Sequence, residues 1–162
     1  MSQVVGYDAG FHQVLEQQLE RASTHCQLGI ICGQALVDVD HKPSRGCEFA
    51  KQAVHLRPEL ATAWFQYGDI LAQCQQYQAA IESIARGWEL LPRQYFCASS
   101  IPASVQLADC HQTLGNVDAS VHWWNQVLER SQLLSPFFPK ISQQWRQKAH
   151  EALSELQSFH EV

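Results

Sequence analysis

The chain has 162 residues, a formal net charge of −5 and 46% hydrophobic residues, which suits one domain with a continuous core. Its eleven lysine and arginine residues are scattered, so the chain lacks the basic face of a nucleic-acid binder and the polybasic patch of a membrane-surface binder. No apolar stretch is long enough to span a bilayer, and the N-terminus lacks the pattern of a secretory signal. We therefore expect a cytoplasmic protein without nucleic-acid or membrane partners.

The first predicted element is an amphipathic helix over about residues 8–21. Phe11, Val14, Leu15 and Leu19 recur at helical spacing and would form one apolar face. We expect this helix to cap the N-terminal end of the core. Its apolar face also makes a homodimer through the N-terminal helix a further hypothesis.

The clearest pattern lies in residues 61–94, where large, small and proline residues follow a fixed order. Trp64, Tyr67 and Leu71 lie at i, i+3 and i+7, which places them on one face of a first helix. Small residues at Gly68 and Ala80 predict a close crossing with a second helix. The rest of the pattern consists of a turn at Gln75-Gln76-Tyr77, a buried Ile84, a small Gly87 and a terminating Pro92.

This order resembles the tetratricopeptide repeat, which reads Trp-x2-Leu-Gly-x2-Tyr, then Ala-x3-Phe, then Pro, on a 34-residue period. The resemblance implies an all-α fold of antiparallel helix pairs, stacked as a short right-handed superhelix with terminal capping helices. It also implies a non-catalytic protein that binds other proteins. One repeat cannot bury its own apolar face, so we expect neighbouring repeats on both sides.

The two neighbouring repeats are predicted over residues 22–60 and 101–135 of a single domain spanning 1–162. Pro58 lies 34 residues before Pro92, which sets the register of the first repeat. Leu28-Gly29 then stands in place of Tyr67-Gly68 but about five residues too early, so a lengthened loop is expected over residues 37–45. The third repeat is carried by Leu107-Ala108, Gly115-Asn116-Val117, Ala119, Trp124 and Val127, after an insertion over residues 93–100.

A last amphipathic helix is predicted over about residues 139–160. Its apolar positions follow helical spacing and would cover the third repeat. They are Ile141, Trp145, Ala149, Ala152, Leu153, Leu156 and Phe159.

The sequence contains no recognisable catalytic motif, such as a nucleophile elbow, a P-loop or a dinucleotide-binding glycine pattern, and we expect neither enzymatic activity nor a cofactor. The six cysteines lack CxxC spacing, so we interpret them as reduced thiols without a metal. His111 occupies the position of Leu71 and is expected to be packed and hydrogen-bonded, whereas His122 is expected to face water.

Function is then expected on the concave groove, which in the tetratricopeptide family is lined by the first helix of each repeat. The positions between the core residues present amides, apolar spots and two carboxylates, which suit a neutral to basic, partly apolar protein or peptide segment. The predicted groove residues are Cys26, Ile30, Gln34, Thr62, Phe65, Gln66, Asp69, Gln73, Val105, Gln106, Asp109 and Gln112, with Gln27, Gly33 and Thr113 beside them.

The predicted groove has no lysine or arginine. Family members that bind acidic chaperone tails use a clamp of basic residues and asparagine there, whereas this sequence has Cys26, Ile30, Gln66 and Val105 in those places. The resemblance therefore favours an adaptor, scaffold or chaperone for ligands that are not acidic. Two alternatives stay open, namely a chaperone similar to those of type III secretion translocators and an accessory substrate-recognition domain of a larger enzyme such as a glycosyltransferase.

Overall fold

The structure is a computed structural model that describes residues 26–39, 41–91 and 99–158. The described part is helical throughout and contains no strand. Its helices are α1 (Cys26–Asp38), α2 (Pro43–Leu56), α3 (Ala61–Gln73), α4 (Tyr77–Leu90), α5 (Ser100–Thr113), α6 (Val117–Leu134) and α7 (Pro139–Ser158). The helix predicted over residues 8–21, the terminating Pro92 and most of the insertion over 93–100 lie outside the described residues.

The helices form three antiparallel pairs, α1 with α2, α3 with α4 and α5 with α6, and α7 packs against α6. Each pair also contacts the next, because α2 packs on α3 and α4 packs on α5. The first helices of the pairs touch one another as well, α1 with α3 and α3 with α5. The chain is therefore a stack of helix pairs, as the repeat pattern predicts. None of the seven described helices is long and apolar enough to cross a membrane.

Two of the turns within pairs end their first helix in the same way. Gln76 N donates to Leu71 O at 2.9 Å and Gln75 N donates to Ala72 O at 2.9 Å, which is the 6→1 and 5→2 pattern of a Schellman motif. The residue at the turn, Gln75, has a left-handed φ of 61°. The α5–α6 turn repeats these hydrogen bonds, with Gly115 at a φ of 78° in the equivalent place.

The first repeat follows a different register from the predicted one. The close crossing of α1 and α2 uses Gly33, because a Cβ there would lie 2.7 Å from Gly46 O and 3.2 Å from Ala50 Cβ. The same crossing of α3 and α4 uses Gly68, where a Cβ would lie 2.4 Å from Ile84 Cγ1. Gly33 is thus the counterpart of Gly68, 35 residues earlier, and the prediction that Leu28-Gly29 holds this position is wrong.

The offset of one residue comes from the turn between α1 and α2. Only residues 39–42 separate these helices, so the long loop predicted over 37–45 is wrong, and the turn is one residue longer than the turn at 74–76. The closing hydrogen bonds of the two turns differ by the same one residue. Lys42 N donates to the carbonyl of Leu36, six residues earlier in the chain, at 2.8 Å, whereas Gln76 N donates to the carbonyl of Leu71, five residues earlier. A single extra residue therefore hides the repeat period in the sequence.

Three connected apolar clusters fill the stack. The first surrounds Ala50, Ile70 and Leu71 and joins the first two repeats. The second links Phe65 and Ile84 to α5, and the third joins α5 and α6 to the inner face of α7 through Trp124, Ala149 and Leu156. The predicted apolar stripe of α7 packs in this cluster except for Ile141, which is exposed, and Phe159, which is outside the described residues.

The left-handed turn residue provides a reciprocal test of the Schellman motif. We expect Gln75→Gly to stabilise the protein by up to about 1 kcal/mol, because glycine adopts a positive φ without steric cost. We expect Gly115→Gln to destabilise it by about 1 kcal/mol for the same reason. Urea unfolding followed by circular dichroism measures the change in the free energy of unfolding for both variants. A change in the same direction for both would contradict the role of a left-handed residue in this turn.

The helix crossing in the first repeat gives a second prediction. Gly33→Ala places a Cβ against the backbone carbonyl of Gly46, so we expect a net loss of about 1–2 kcal/mol even after the better helix propensity of alanine. Gln52→Ala, on the exposed side of α2, serves as the control and should change stability by less than about 0.5 kcal/mol. An unfolding midpoint of Gly33→Ala equal to the control would contradict a close helix crossing at Gly33.

Candidate functional site

The corrected register aligns the exposed residues of the three first helices into rows. We call this surface the first-helix face. Each row of this face contains one residue from each of α1, α3 and α5. From one row to the next, the residues lie three or four positions further along each helix, which keeps them on the same side. The rows are Ile31, Gln66 and Gln106, then Gln34, Asp69 and Asp109, and then Asp38, Gln73 and Thr113.

Three predicted groove residues do not belong to this surface. Phe65 is 5% exposed, and Ile30 and Val105 occupy the equivalent positions of α1 and α5 and are buried as well. The phenyl ring of Phe65 fills the space left by Gly87, where a Cβ would lie 2.6 Å from Phe65 Cε1, and it packs 5.6 Å from the Trp88 ring. These side chains hold adjacent helices together, so their prediction as ligand contacts is wrong.

The remaining predicted groove residues have mixed positions. Gln34, Asp69, Gln106 and Asp109 are partly exposed on the first-helix face, and Gln66 and Gln73 are exposed there. Thr62 is partly buried one turn before Gln66, and Gln112 is exposed one turn after Asp109. The predicted Gly33 is buried at the α1–α2 crossing, and the Cys26 and Gln27 side chains lie outside the described residues.

Two residues of this face were missed by the sequence analysis. Ile31 is 54% exposed and adds an apolar side chain, and Asp38 adds a third carboxylate. Both were displaced by the wrong register of the first repeat. The signal that could have found them is the spacing of Gly33 and Gly46, which matches Gly68 and Ala80 once one extra residue is allowed in the turn.

A chain of amide hydrogen bonds connects the first two repeats across this face. Gln34 Nε2 donates to Asp38 Oδ2 at 2.9 Å and to Gln73 Oε1 at 2.7 Å. Gln73 Nε2 then donates to Asp69 Oδ2 at 3.0 Å. The amides are thus oriented by the carboxylates at either end, and the two first helices are joined at the surface as well as in the core.

Two carboxyl groups of the face, those of Asp69 and Asp109, are partly buried, whereas Asp38 is exposed. Burial raises the pKa of Asp69, the hydrogen bond from Gln73 opposes this shift, and the negative charge of Asp38 adds to it. Burial also raises the pKa of Asp109. The thiol of Cys110 has its pKa raised by burial and further by the charges of Asp109 and Asp69, so both carboxylates lie close to it. The row of Gln34, Asp69 and Asp109 therefore carries two partly buried carboxyl groups.

A cation from α7 approaches one end of this row. Burial raises the pKa of Asp109, and the charge of Lys148 reduces this shift without reversing it. The Lys148 ammonium also lies 5.8 Å from the centre of the Trp124 ring. Within the described residues Asp69 has no ion pair, and its recorded hydrogen-bond donor there is Gln73.

Side chains able to support other chemistry are not gathered in the described residues. No group of three or more histidine, cysteine or acidic residues there could hold a metal ion. His111 is packed as predicted, but its Nδ1 is buried without a hydrogen-bond partner, and burial lowers the pKa of its ring. His122 is exposed as predicted and meets the Trp123 ring edge-on at 5.3 Å.

A second apolar surface lies at the turn between α6 and α7. Phe137 and Phe138 are 77% and 55% exposed, and Leu133 and Ile141 flank them with about half of their surface exposed. Adjacent apolar side chains at this level of exposure are typical of interaction surfaces. The helical spacing in the sequence predicts a packing role for Ile141 and does not reveal this surface.

The burial of Asp69 gives a prediction about pH and stability. A raised pKa means that folding favours the protonated carboxyl, so the ionised form destabilises the fold once pH rises above the usual value of 3.8. We expect Asp69→Asn to raise the melting temperature at pH 7 and to lose this advantage as the pH falls toward 3.8.

The exposed Asp118, in the first turn of α6, is the matched control for this substitution. Its charge interacts favourably with the helix dipole, so Asp118→Asn should lower stability at pH 7 by about 0.3–1 kcal/mol. Thermal melts of both variants between pH 3 and pH 8 make the comparison. A lower melting temperature for Asp69→Asn at pH 7 would show that its charge is stabilising.

Comparison with known proteins identifies the fold but not a family. No family model matches the chain, and no curated protein matches it significantly. Among solved structures, the chain is similar to MamA, a tetratricopeptide-type protein, with a TM-score of 0.61 and 16% sequence identity over 90% of this chain and 88% of that chain. Together with the all-helical pairs, this similarity shows that the chain has a helical-repeat fold of the tetratricopeptide type.

Proposed function

We propose that this protein is a non-catalytic interaction scaffold that binds a protein segment on its first-helix face. The segment is neutral to basic and partly apolar. Support comes from the repeat fold, which exposes one helix of every pair along a continuous surface, and from the side chains on that surface. Helical repeats bind ligands along such extended surfaces, and the choice of ligand depends on the few exposed residues.

The observation that carries this proposal is the poorly solvated carboxylate of Asp69. Removing a carboxylate from water costs free energy unless a cation or several hydrogen-bond donors replace the water. Asp69 receives a hydrogen bond from Gln73 but has another carboxylate, Asp38, as its charged neighbour. A lysine or arginine of a ligand would supply the missing positive charge.

The neighbourhood of Asp109 supports the same preference. Burial raises the pKa of this carboxyl, and the positive charge of Lys148 in α7 partly opposes that shift. The equivalent carboxylate in the second repeat, Asp69, has no such lysine within the described residues. The C-terminal helix thus balances the charge of one carboxylate, and we assign the other to the ligand.

The rest of the face suits the backbone and an apolar side chain of the same ligand. Gln66 and Gln106 carry both donors and acceptors, which can pair with peptide groups of an extended or helical segment. Ile31 offers an apolar contact in the same row. An acidic segment would meet like charges at Asp38, Asp69 and Asp109, which disfavours it.

Selection from a random-peptide display library tests the proposal. We expect the enriched peptides to contain lysine or arginine near an aliphatic residue, and a representative synthetic peptide to bind about tenfold or more weakly to Asp69→Lys. The affinity should also fall with salt, because the contact is electrostatic. Calorimetry with the synthetic peptide measures both effects.

The control is Glu82→Lys, which makes the same change of charge on the exposed side of α4. It should leave the affinity nearly unchanged, because Glu82 belongs to a second helix. Circular dichroism must show that both variants are folded. Enrichment of acidic peptides, or equal binding to wild type and folded Asp69→Lys, would refute binding of a basic segment at this face.

A further inference from the structure

Two free cysteines from different repeats lie side by side in the structure. Cys47 is on α2 and is 7% exposed, and Cys74 follows α3 and is partly exposed. The Cys74 thiol donates to Pro43 O at 3.6 Å, and Pro43 lies one helical turn before Cys47 on the same helix. Gln76, two residues after Cys74, approaches Cys47 Sγ with its side-chain amide at 3.7 Å.

The contacts of each thiol place it beside the segment that carries the other. Cys74 Sγ contacts the first turn of α2, and the residue two positions after Cys74 contacts Cys47 Sγ. Burial raises the pKa of Cys47 to about 12, and the nearby Cys74 raises it further.

We propose that Cys47 and Cys74 form a reversible disulfide that joins the first repeat to the second. The oxidant is a small-molecule disulfide such as glutathione disulfide. Overall, one small-molecule disulfide and two cysteine thiols give the protein disulfide and two small-molecule thiols, so atoms and electrons balance. A small-molecule thiol in excess reverses the reaction.

The exposures of the two thiols set the order of the steps. The Cys74 thiolate is the more accessible, so it attacks the small-molecule disulfide, forms a mixed disulfide and releases the first small-molecule thiol. Cys47, after losing its proton, attacks the Cys74 sulfur and releases the second. Because burial disfavours the Cys47 thiolate, this second step is slow at neutral pH and speeds up as the pH rises.

The disulfide would lie at the joint between two repeats. It links the first half of α2 to the turn that follows α3, where α2 and α3 already pack together. The Gln34–Gln73 hydrogen bond joins the same two repeats across the first-helix face. Oxidation would therefore fix the relative position of the first two repeats and raise the melting temperature, while reduction would leave them joined by packing and by this hydrogen bond.

Peptide mapping of the full chain tests this proposal. The protein is incubated with glutathione disulfide and glutathione at several ratios, its remaining thiols are alkylated, and it is digested with trypsin. Arg45 and Lys51 flank Cys47, so digestion separates the two cysteines unless they are bonded. We expect a linked peptide containing Cys47 and Cys74, formed faster at pH 9 than at pH 7 and lost on adding dithiothreitol.

The variants make the result specific to this pair. Cys47→Ser and Cys74→Ser should each abolish the linked peptide and the oxidation-dependent rise in melting temperature, whereas Cys110→Ser should keep both. The mapping of the wild-type chain needs no variant to fold. Glutathione that stays attached to Cys74 with Cys47 still free after prolonged incubation at pH 9, or a disulfide from either residue to a different cysteine, would overturn the proposal.

Discussion

The whole stack depends on how closely the two helices of each pair can cross. In the first pair Gly33 meets the backbone of Gly46, and in the second Gly68 receives the side chain of Ile84. A side chain larger than hydrogen at these glycines would push the helices apart, because the contacts are with backbone or with a buried branched residue. The close crossing fixes the angle of the pair, and that angle decides which side of the first helix remains exposed.

The exposed side then carries features that do not serve stability. Asp69 and Asp109 are partly buried carboxyl groups whose pKa values are raised by burial, and burial alone would favour neutral residues at these positions. Lys148 offsets this cost at Asp109 only. Surface residues that lower the stability of the fold are typical of binding sites, where function and stability make different demands on the side chains.

The apolar residues of the first helices show why a pattern cannot separate core from surface by itself. Phe65 and Gln66 are neighbours in sequence, and the first fills the space above Gly87 while the second faces outward. Helical spacing indicated that one side of α3 faces the core, but Phe65 packs on α4 and α5, two helices whose positions depend on contacts remote in sequence. The same applies to the Cys47 and Cys74 thiols, which are 27 residues apart and meet only because α2 packs on α3.

The sequence by itself determined that the chain is built of helix pairs, and it located α3, α4 and the apolar stripe of α7, because their spacing and small residues reflect contacts within a few turns of helix. It also predicted that Asp69 and Asp109 lie on the groove, and the structure places both on the first-helix face in a partly buried setting. Only the tertiary structure decided the register of the first repeat, since one extra residue in a turn shifts the period without changing the helical pattern. It also decided the burial of Phe65, because burial depends on what the neighbouring repeats place against a helix.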